Sequence, residues 1–266
     1  MRSAEEDVLT SPSIAALMVA QARCADVTVT SRSVGTATQL LCPDHPFKVR
    51  YNRAFDVDAR EPGTPATLLH HARRAETRPL LEVLPESLDD TTRAALVALG
   101  LSPLWKVVAL RVDTRSLPAP AVVSVPVRPA VPAEALAFGA LAVRAYGPAP
   151  PGFPSVDSAG EARLWTAFCA IGQARCFVAE VEGAPVAIGM SVHAGEVALV
   201  DGAATLAEHR RRGCQGALLA HRLDDAQAAG ATVAITRTGA ASASQRNLER
   251  AGMRVYQTRE VWGVPA

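Results

Sequence analysis

Two stretches of this chain pass through the same series of elements at the same spacing, and that repetition limits the available folds more than any other feature. LEVLPESLDDTTRAALVALGLSPLWKVVALRV, beginning at Leu81, reads strand, loop, helix, glycine, strand. AITRTGAASASQRNLERAGMRVYQTREVWGV, beginning at Ala234, reads the same way. Val83 to Gly100 and Ile235 to Gly252 are each 17 residues apart, so the two align without a gap. A shared element order, a shared helix-end glycine and a shared following strand point to a duplication. With 266 residues, the chain has room for two units of roughly 130 residues each.

Proline marks the break between the copies. SLPAPAVVSVPVRPAVPAE, Ser116 to Glu134, is too rich in it for a helix interior or a central strand. The expected organisation is an N-terminal domain over 1–115, a Pro-rich linker over 116–128 and a C-terminal domain over 129–266. Past the linker, residues 133–145 and 159–171 have helical spacing, separated by the loop-like YGPAPPGFPS. CFVAEVEGAP and VAIGMSVHAGEVALVDGAAT then read as three strands turning at Glu182-Gly183 and at Gly195. A helix follows from about 214 to 229, its inner stripe formed by Leu219, Leu223, Ala226 and Gly230. His221, Arg222, Asp224, Asp225 and Gln227 are expected on its outer face. TVAIT is a short buried-type strand. SASQ offers a capping box, Ser242 with Gln245, for a helix ending at Gly252, and MRVYQTREVWGV closes as an alternating strand. The fold class is α/β (α+β), with a mixed, mostly antiparallel central sheet flanked by helices.

The chemistry-bearing stretch is ATLAEHRRRGCQGALLAHRL, Ala204 to Leu223, where a strand gives way to a helix. The first amides of a helix have no intrahelical partner, and the macrodipole adds partial positive charge there. Three arginines beside those amides make an anion site, and Gly213 and Gly216 allow the backbone to come close to a phosphate. Alone, this motif is equally compatible with a solvated basic turn.

The stretch resembles the acetyl-CoA signature of the GNAT superfamily of N-acetyltransferases, Arg/Gln-x-x-Gly-x-Gly/Ala after a strand. Arg210 falls on the first position and Gly213 on the first glycine. Gln215 replaces the second glycine or alanine, with Gly216 directly after it. GAASASQRNLERAGM resembles the last segment of that family. The resemblance covers about 127–266 and is strongest over 197–262. Before that it rests on the internal repeat, which implies a tandem arrangement with the C-terminal copy intact and the N-terminal copy degenerate. Nothing in residues 40–80 repeats the arginine-rich, glycine-containing turn.

The resemblance implies acetyl-CoA as co-substrate, its diphosphate on the turn Arg210, Arg211, Arg212, Gly213, Cys214, Gln215 and Gly216. The pantetheine arm would pair with the strand end at Thr205 and Leu206. The Gln215 side chain would have to point away from the phosphates. Asp201, on the strand leading into the turn, takes the place of the general base; a carboxylate that merely pairs with an arginine is the alternative. The tyrosine that protonates the leaving thiolate in many relatives maps to Leu248, and Tyr256 does not map onto it. Ser244 and Asn247 either reach the far side of the cofactor or serve as a helix cap and an exposed amide. Cys214 is either a thiol activated by its helix start or a small packed residue. HHARR at His70–Arg74 has no carboxylate or cysteine at ligand spacing, so it reads as a polar helix face rather than a metal site.

The implied activity is direct transfer of acetyl to an amine, with a small-molecule acceptor preferred. The alternatives are a non-catalytic acyl-CoA-binding or sensing protein, or a protein-lysine or N-terminal acetyltransferase. A net charge of +1 argues against a nucleic-acid partner. No apolar run approaches the roughly 20 residues that cross a bilayer, so no membrane partner is expected. The acidic start MRSAEEDVLTSPS is unlike a secretion leader, and five scattered cysteines without CxxC suit a reduced cytoplasmic setting. The sequence leaves homodimerisation open.

Overall fold

The computed structural model describes residues 19, 27–45, 51–117, 125–147, 158–171 and 174–265. The N-terminal half contains β1 (Thr30–Val34), β2 (Ala37–Leu41), β3 (Arg53–Val57), α1 (Thr64–Arg74), β4 (Leu80–Val83), α2 (Asp90–Ala98) and β5 (Ser102–Asp113). The C-terminal half begins with β6 (Val127–Pro129), α3 (Ala135–Tyr146), α4 (Ser158–Ile171), β7 (Ala174–Val181), β8 (Ala184–Ala194) and β9 (Val197–Thr205). It continues with α5 (Cys214–Ala228), β10 (Val233–Gly239), α6 (Ala243–Arg250) and β11 (Arg254–Gly263).

These strands form one eleven-stranded sheet in the order β1-β2-β3-β4-β11-β5-β10-β9-β8-β7-β6. Only β3–β4 and β9–β10 are parallel, each joined by a helical crossover, α1 or α5. The fold class read from the sequence is the one observed. The repeat is also present, as β4-α2-β5 and β10-α6-β11. Gly100 and Gly252 follow their helices with φ of +82° and +89°, the left-handed conformation glycine adopts without a Cβ clash. Asp89 caps α2 by accepting from the Thr92 amide at 2.8 Å, and Ser242 caps α6 by accepting from the Gln245 amide at 3.0 Å. Gln245 returns its side-chain oxygen to the amide of Ala241, one residue earlier than a capping box requires.

The two copies exchange their last strands. β4 pairs with β11 rather than with β5, β10 pairs with β5 rather than with β11, and β5 and β11 lie side by side. A local twofold relation therefore runs between β5 and β11, and each half is completed by the other.

Three apolar layers hold the helices. Leu68, Leu69 and Leu96 of α1 and α2 pack on Ala54, Leu81, Val83 and Trp262. Leu219, Leu223 and Ala226 of α5, with Leu248 of α6, pack on Val108, Leu110, Ala198, Val200 and Ala234. Phe138, Trp165 and Phe168 of α3 and α4 join Met190, Val192, Leu199 and Ile235 in the largest cluster.

The faces expected for α5 need correction: Gly230 is exposed and lies past the helix end, and half-buried His221 sets its ring 5.1 Å from that of Phe177. Arg222 is 3% exposed and points into the sheet, because it stands one helical turn from both buried Leu218 and buried Ala226. Asp225 is half-buried and accepts from Arg175 at 2.6 Å.

Candidate functional site

The sheet opens at one place in its C-terminal half. β9 and β10 pair from Val197–Val233 to Leu199–Ile235 and then stop, although β9 runs on to Thr205 and β10 to Gly239. Their outer edges stay paired, with Thr205 opposite Ala187 of β8 and Gly239 opposite Val107 of β5. The strands thus splay while remaining anchored, and the facing edges offer backbone groups to an extended ligand. β9 also bulges here: Met190 faces Asp201 but Ile188 faces Ala204, three steps along β9 against two along β8. Gly202 sits in the bulge at φ +62°, and a Cβ on it would lie 2.6 Å from the Trp165 ring. Only glycine fits.

The turn into α5 has the conformation an anion site needs. Gly213 is the N-cap at φ +85°, and Arg211 is also left-handed at +65°. Among the described residues, no other residue accepts a backbone hydrogen bond from the amides of Arg211 through Gly216, and Ala217 is the first to bond, to the Gly213 carbonyl at 3.0 Å. Among the described residues the corner is open: a Cβ at Gly213 would meet only Val125, at 3.8 Å, and one at Gly216 would meet nothing within 4 Å. Gln215 turns its side chain back to the Thr205 hydroxyl, 2.8 Å away, as its substitution for glycine requires. Arg210 is drawn off the turn, donating to the Thr205 carbonyl at 3.3 Å and towards that of Ala145 at 3.5 Å. Arg211 and Arg212 are exposed with no side-chain partner among the described residues. Leu206 is buried, and its backbone is committed, its amide to Val186 at 3.0 Å and its carbonyl to His209 at 2.9 Å. The Cys214 thiol is buried, and desolvation pushes its pKa up, so it is the packed residue rather than the activated nucleophile.

Asp201 lies on β9 just beyond the last β9–β10 pair, half-buried, with Oδ1 accepting from the Gly202 amide at 2.7 Å. Below it, Arg222 donates Nη1 to the carbonyls of Asp201 and Met190, at 3.1 and 3.2 Å, and Nε to Leu218 at 3.0 Å. Burial lowers the Arg222 pKa to about 10, with Asp201 and Tyr146 opposing the shift. Gly189 makes room for that guanidinium, since a Cβ there would lie 3.0 Å from Nε. Above the bulge Trp165 stacks on Tyr146, ring centroids 5.5 Å apart. Arg222, Gly189, Trp165 and Tyr146 were not picked out as site residues from the sequence. Its one pointer was glycine inside strand patterns, at Gly189 and Gly202, which marks a bulge or a close approach.

Ser244 is exposed on α6, and Asn247 accepts from Arg250 at 2.8 Å. Leu248, at the tyrosine position, is core. Tyr256 lies elsewhere, on β11 beneath the Arg111 guanidinium, 5.8 Å from its ring centroid. His71 on α1 approaches Gln39 at 3.2 Å, and no group of three or more metal-binding side chains gathers among the described residues. No described helix is long and apolar enough to cross a membrane.

The N-terminal half has the matching junction, closed. β3 meets α1 through Asp58–Gly63, and Gly63 is an N-cap at φ +78°, so the glycine of the turn is repeated although the arginine run is not. Pro62 and Pro65 carry no amide hydrogen. The Glu61 carboxylate sits in the corner, accepting from the Thr36 amide at 3.2 Å and the Thr64 hydroxyl at 3.1 Å. Arg60 is held by Asp58 at 2.9 Å. The β3–β4 ladder bulges between Ala54 and Val57 but stays paired to its end, Val57 opposite Val83, with the Leu84 amide on Val57 at 3.0 Å.

No family model matches the sequence, and no curated protein matches it. Among solved structures, the chain is similar to a functionally unknown conserved protein from Staphylococcus epidermidis ATCC 12228, with a TM-score of 0.69 and 13% identity over 91% of this chain and 96% of that one. It is similar to a GCN5-related N-acetyltransferase from Kribbella flavida, with a TM-score of 0.63 and 23% identity over 95% of both chains. It is also similar to a tandem GNAT protein from the clavulanic acid biosynthesis pathway, with a TM-score of 0.53 and 16% identity over 94% of this chain and 87% of that one. The fold is the GNAT fold.

Proposed function

We propose that this chain, having the GNAT fold, is an acetyl-CoA-dependent N-acetyltransferase acting on a small-molecule amine. One observation carries the reading. The run of amides at the start of α5, which no other described residue accepts from, leads onto the splay between β9 and β10. A diphosphate on Arg211–Gly216, with Arg211 and Arg212 beside it, leaves the pantetheine arm to follow the β9 edge. Thr205 and Leu206 then act by position, since Gln215 and Arg210 brace Thr205, the Leu206 amide is committed to β8 and its carbonyl to His209. Asp201, at the bulge, takes the proton of the attacking amine. With Leu248 in the core, no tyrosine stands at the position mapped for it, and the thiolate leaves unassisted, which a thiol pKa of about 8.5 permits.

Isothermal titration with acetyl-CoA tests the reading; no binding at millimolar concentration would overturn it. Gly213→Val should abolish binding, because a β-branched residue at φ +85° is strained by ~1–3 kcal/mol and its methyls crowd the anion. Asp201→Asn should lower kcat by about 100-fold or more and leave acetyl-CoA affinity unchanged. The buried Leu248 favours one second reading, a non-catalytic acyl-CoA sensor. Thiol release with a panel of amines separates the two, since a sensor binds without turnover.

A further inference from the structure

We propose that the acceptor amine also carries a carboxylate, and that Arg237 and the Tyr256 hydroxyl bind it on the sheet face shared with Asp201. The proposal rests on the acetyltransferase reading above and names its substrate class.

Strand register provides the geometry. Leu199 and Ile235 are the last paired residues of β9 and β10, and both belong to the same apolar cluster. Two residues further along each strand stand Asp201 and Arg237, and the two-residue period of a strand returns both to that face. The register is regular over both steps, Asp201 opposite Met190 and Arg237 opposite Ala109. Asp201 and Arg237 therefore occupy opposite lips of the splay, on one side of the sheet. The Arg237 side chain runs on across β5 and β11 to Glu82 of β4 and Phe55 of β3, so an acceptor that spans from the Asp201 lip to that guanidinium presents its amine to one and its anionic group to the other.

The side chains around Arg237 supply the chemistry. Arg237 is nine-tenths buried and donates Nη2 to Glu82, which also holds Arg53. Its guanidinium lies 4.9 Å from the centroid of Phe55. Nε and Nη1 of Arg237 and the hydroxyl of Tyr256 are buried without a hydrogen-bond partner among the described residues. A purely structural ion network satisfies its buried donors, and this one does not. The nearby Arg259 is matched by Asp56 at 3.0 Å. The Nε and Nη1 donors and the phenol hydroxyl suit the paired oxygens of a carboxylate. Phe55, Arg53 and Glu82 come from the N-terminal half, so the degenerate copy builds the acceptor end of the site.

Saturation-transfer NMR on the intact protein, comparing amino acids, their carboxamides and aminoalkyl phosphates, tests the proposal, with acetyl-CoA affinity measured separately by calorimetry. Amino acids should bind and their carboxamides should not. Tyr256→Phe removes a hydroxyl that no described side chain uses, so it keeps the fold; it should weaken amino-acid binding about tenfold and leave acetyl-CoA affinity unchanged. Arg237→Lys should weaken it further. Equal binding of acids and carboxamides, preference for the phosphates, or an unaffected Tyr256→Phe variant would each overturn the carboxylate assignment. Amino-acid binding by a protein that ignores acetyl-CoA would instead overturn the acetyltransferase reading and keep the anion site.

Discussion

Arg222 is a cation in the protein interior, satisfied by three carbonyl oxygens. Its pKa of about 10 indicates that desolvation outweighs the nearby carboxylate and phenol. Burying such a charge returns little net stability, so Arg222→Met should alter the unfolding free energy by no more than about 1–2 kcal/mol in either direction. It releases the Asp201 carbonyl, however, and the bulge loses its shape. Urea unfolding set beside steady-state kinetics should therefore show a near-native midpoint with a reduced kcat. Cys214 gives a simpler test. Its thiol is buried and its pKa raised, so a thiol-specific reagent should label it only as fast as the protein opens.

At the level of elements, the same strand–turn–helix unit occurs twice with opposite outcomes. The α5 turn leaves its amides open beside a splayed ladder, whereas the α1 turn places two prolines and a carboxylate at its corner beside a closed one. Calorimetry should accordingly find one acetyl-CoA per chain, and substitution of Gly63 should leave the affinity unchanged. The entry to α3 is held by charge. Arg128 of β6 bonds Glu134 at 2.7 Å and Glu180 at 2.8 Å, and the Glu134 pKa falls to about 2, first through Arg128 and then through the Val131 amide. A depressed carboxylate pKa adds stability that is complete above the ordinary glutamate value of 4.5 and is lost as pH falls towards 2. Thermal melts over that window should fall more steeply for the native chain than for Glu134→Gln, and added salt should narrow the difference because both groups are partly exposed.

Across the whole molecule, the exchange of β5 and β11 makes each half a structural requirement of the other. β11 is bonded to β4 on one side and β5 on the other, both from the N-terminal half. A half expressed alone presents an unpaired central edge, an invitation to aggregation. Residues 1–117 and 125–266 should be insoluble separately, yet copurify when produced together, coming apart only in denaturant. Recovery of either piece as a folded monomer would contradict the exchange.

The repeat, the element order within its two copies and from Ala135 onward, the Ser242 cap and the Arg-Gly turn were legible in the sequence. Each is a local matter of periodicity, φ preference or an unpaired amide within a few residues of its cause. The exchange of last strands was not legible, because β5 and β11 carry patterns that suit either neighbour and only the assembled sheet chooses. The burial of Arg222 also escaped notice, since the inner stripe was drawn through Leu219, Leu223, Ala226 and Gly230 and the space for a guanidinium is made by Gly189, on a strand. The placing of Asp201 and Arg237 on either side of one opening depends on a ladder that stops after three pairs. Side-chain period fixes which face each residue takes; how far two strands stay together is fixed by what packs against them, and that is a property of the fold.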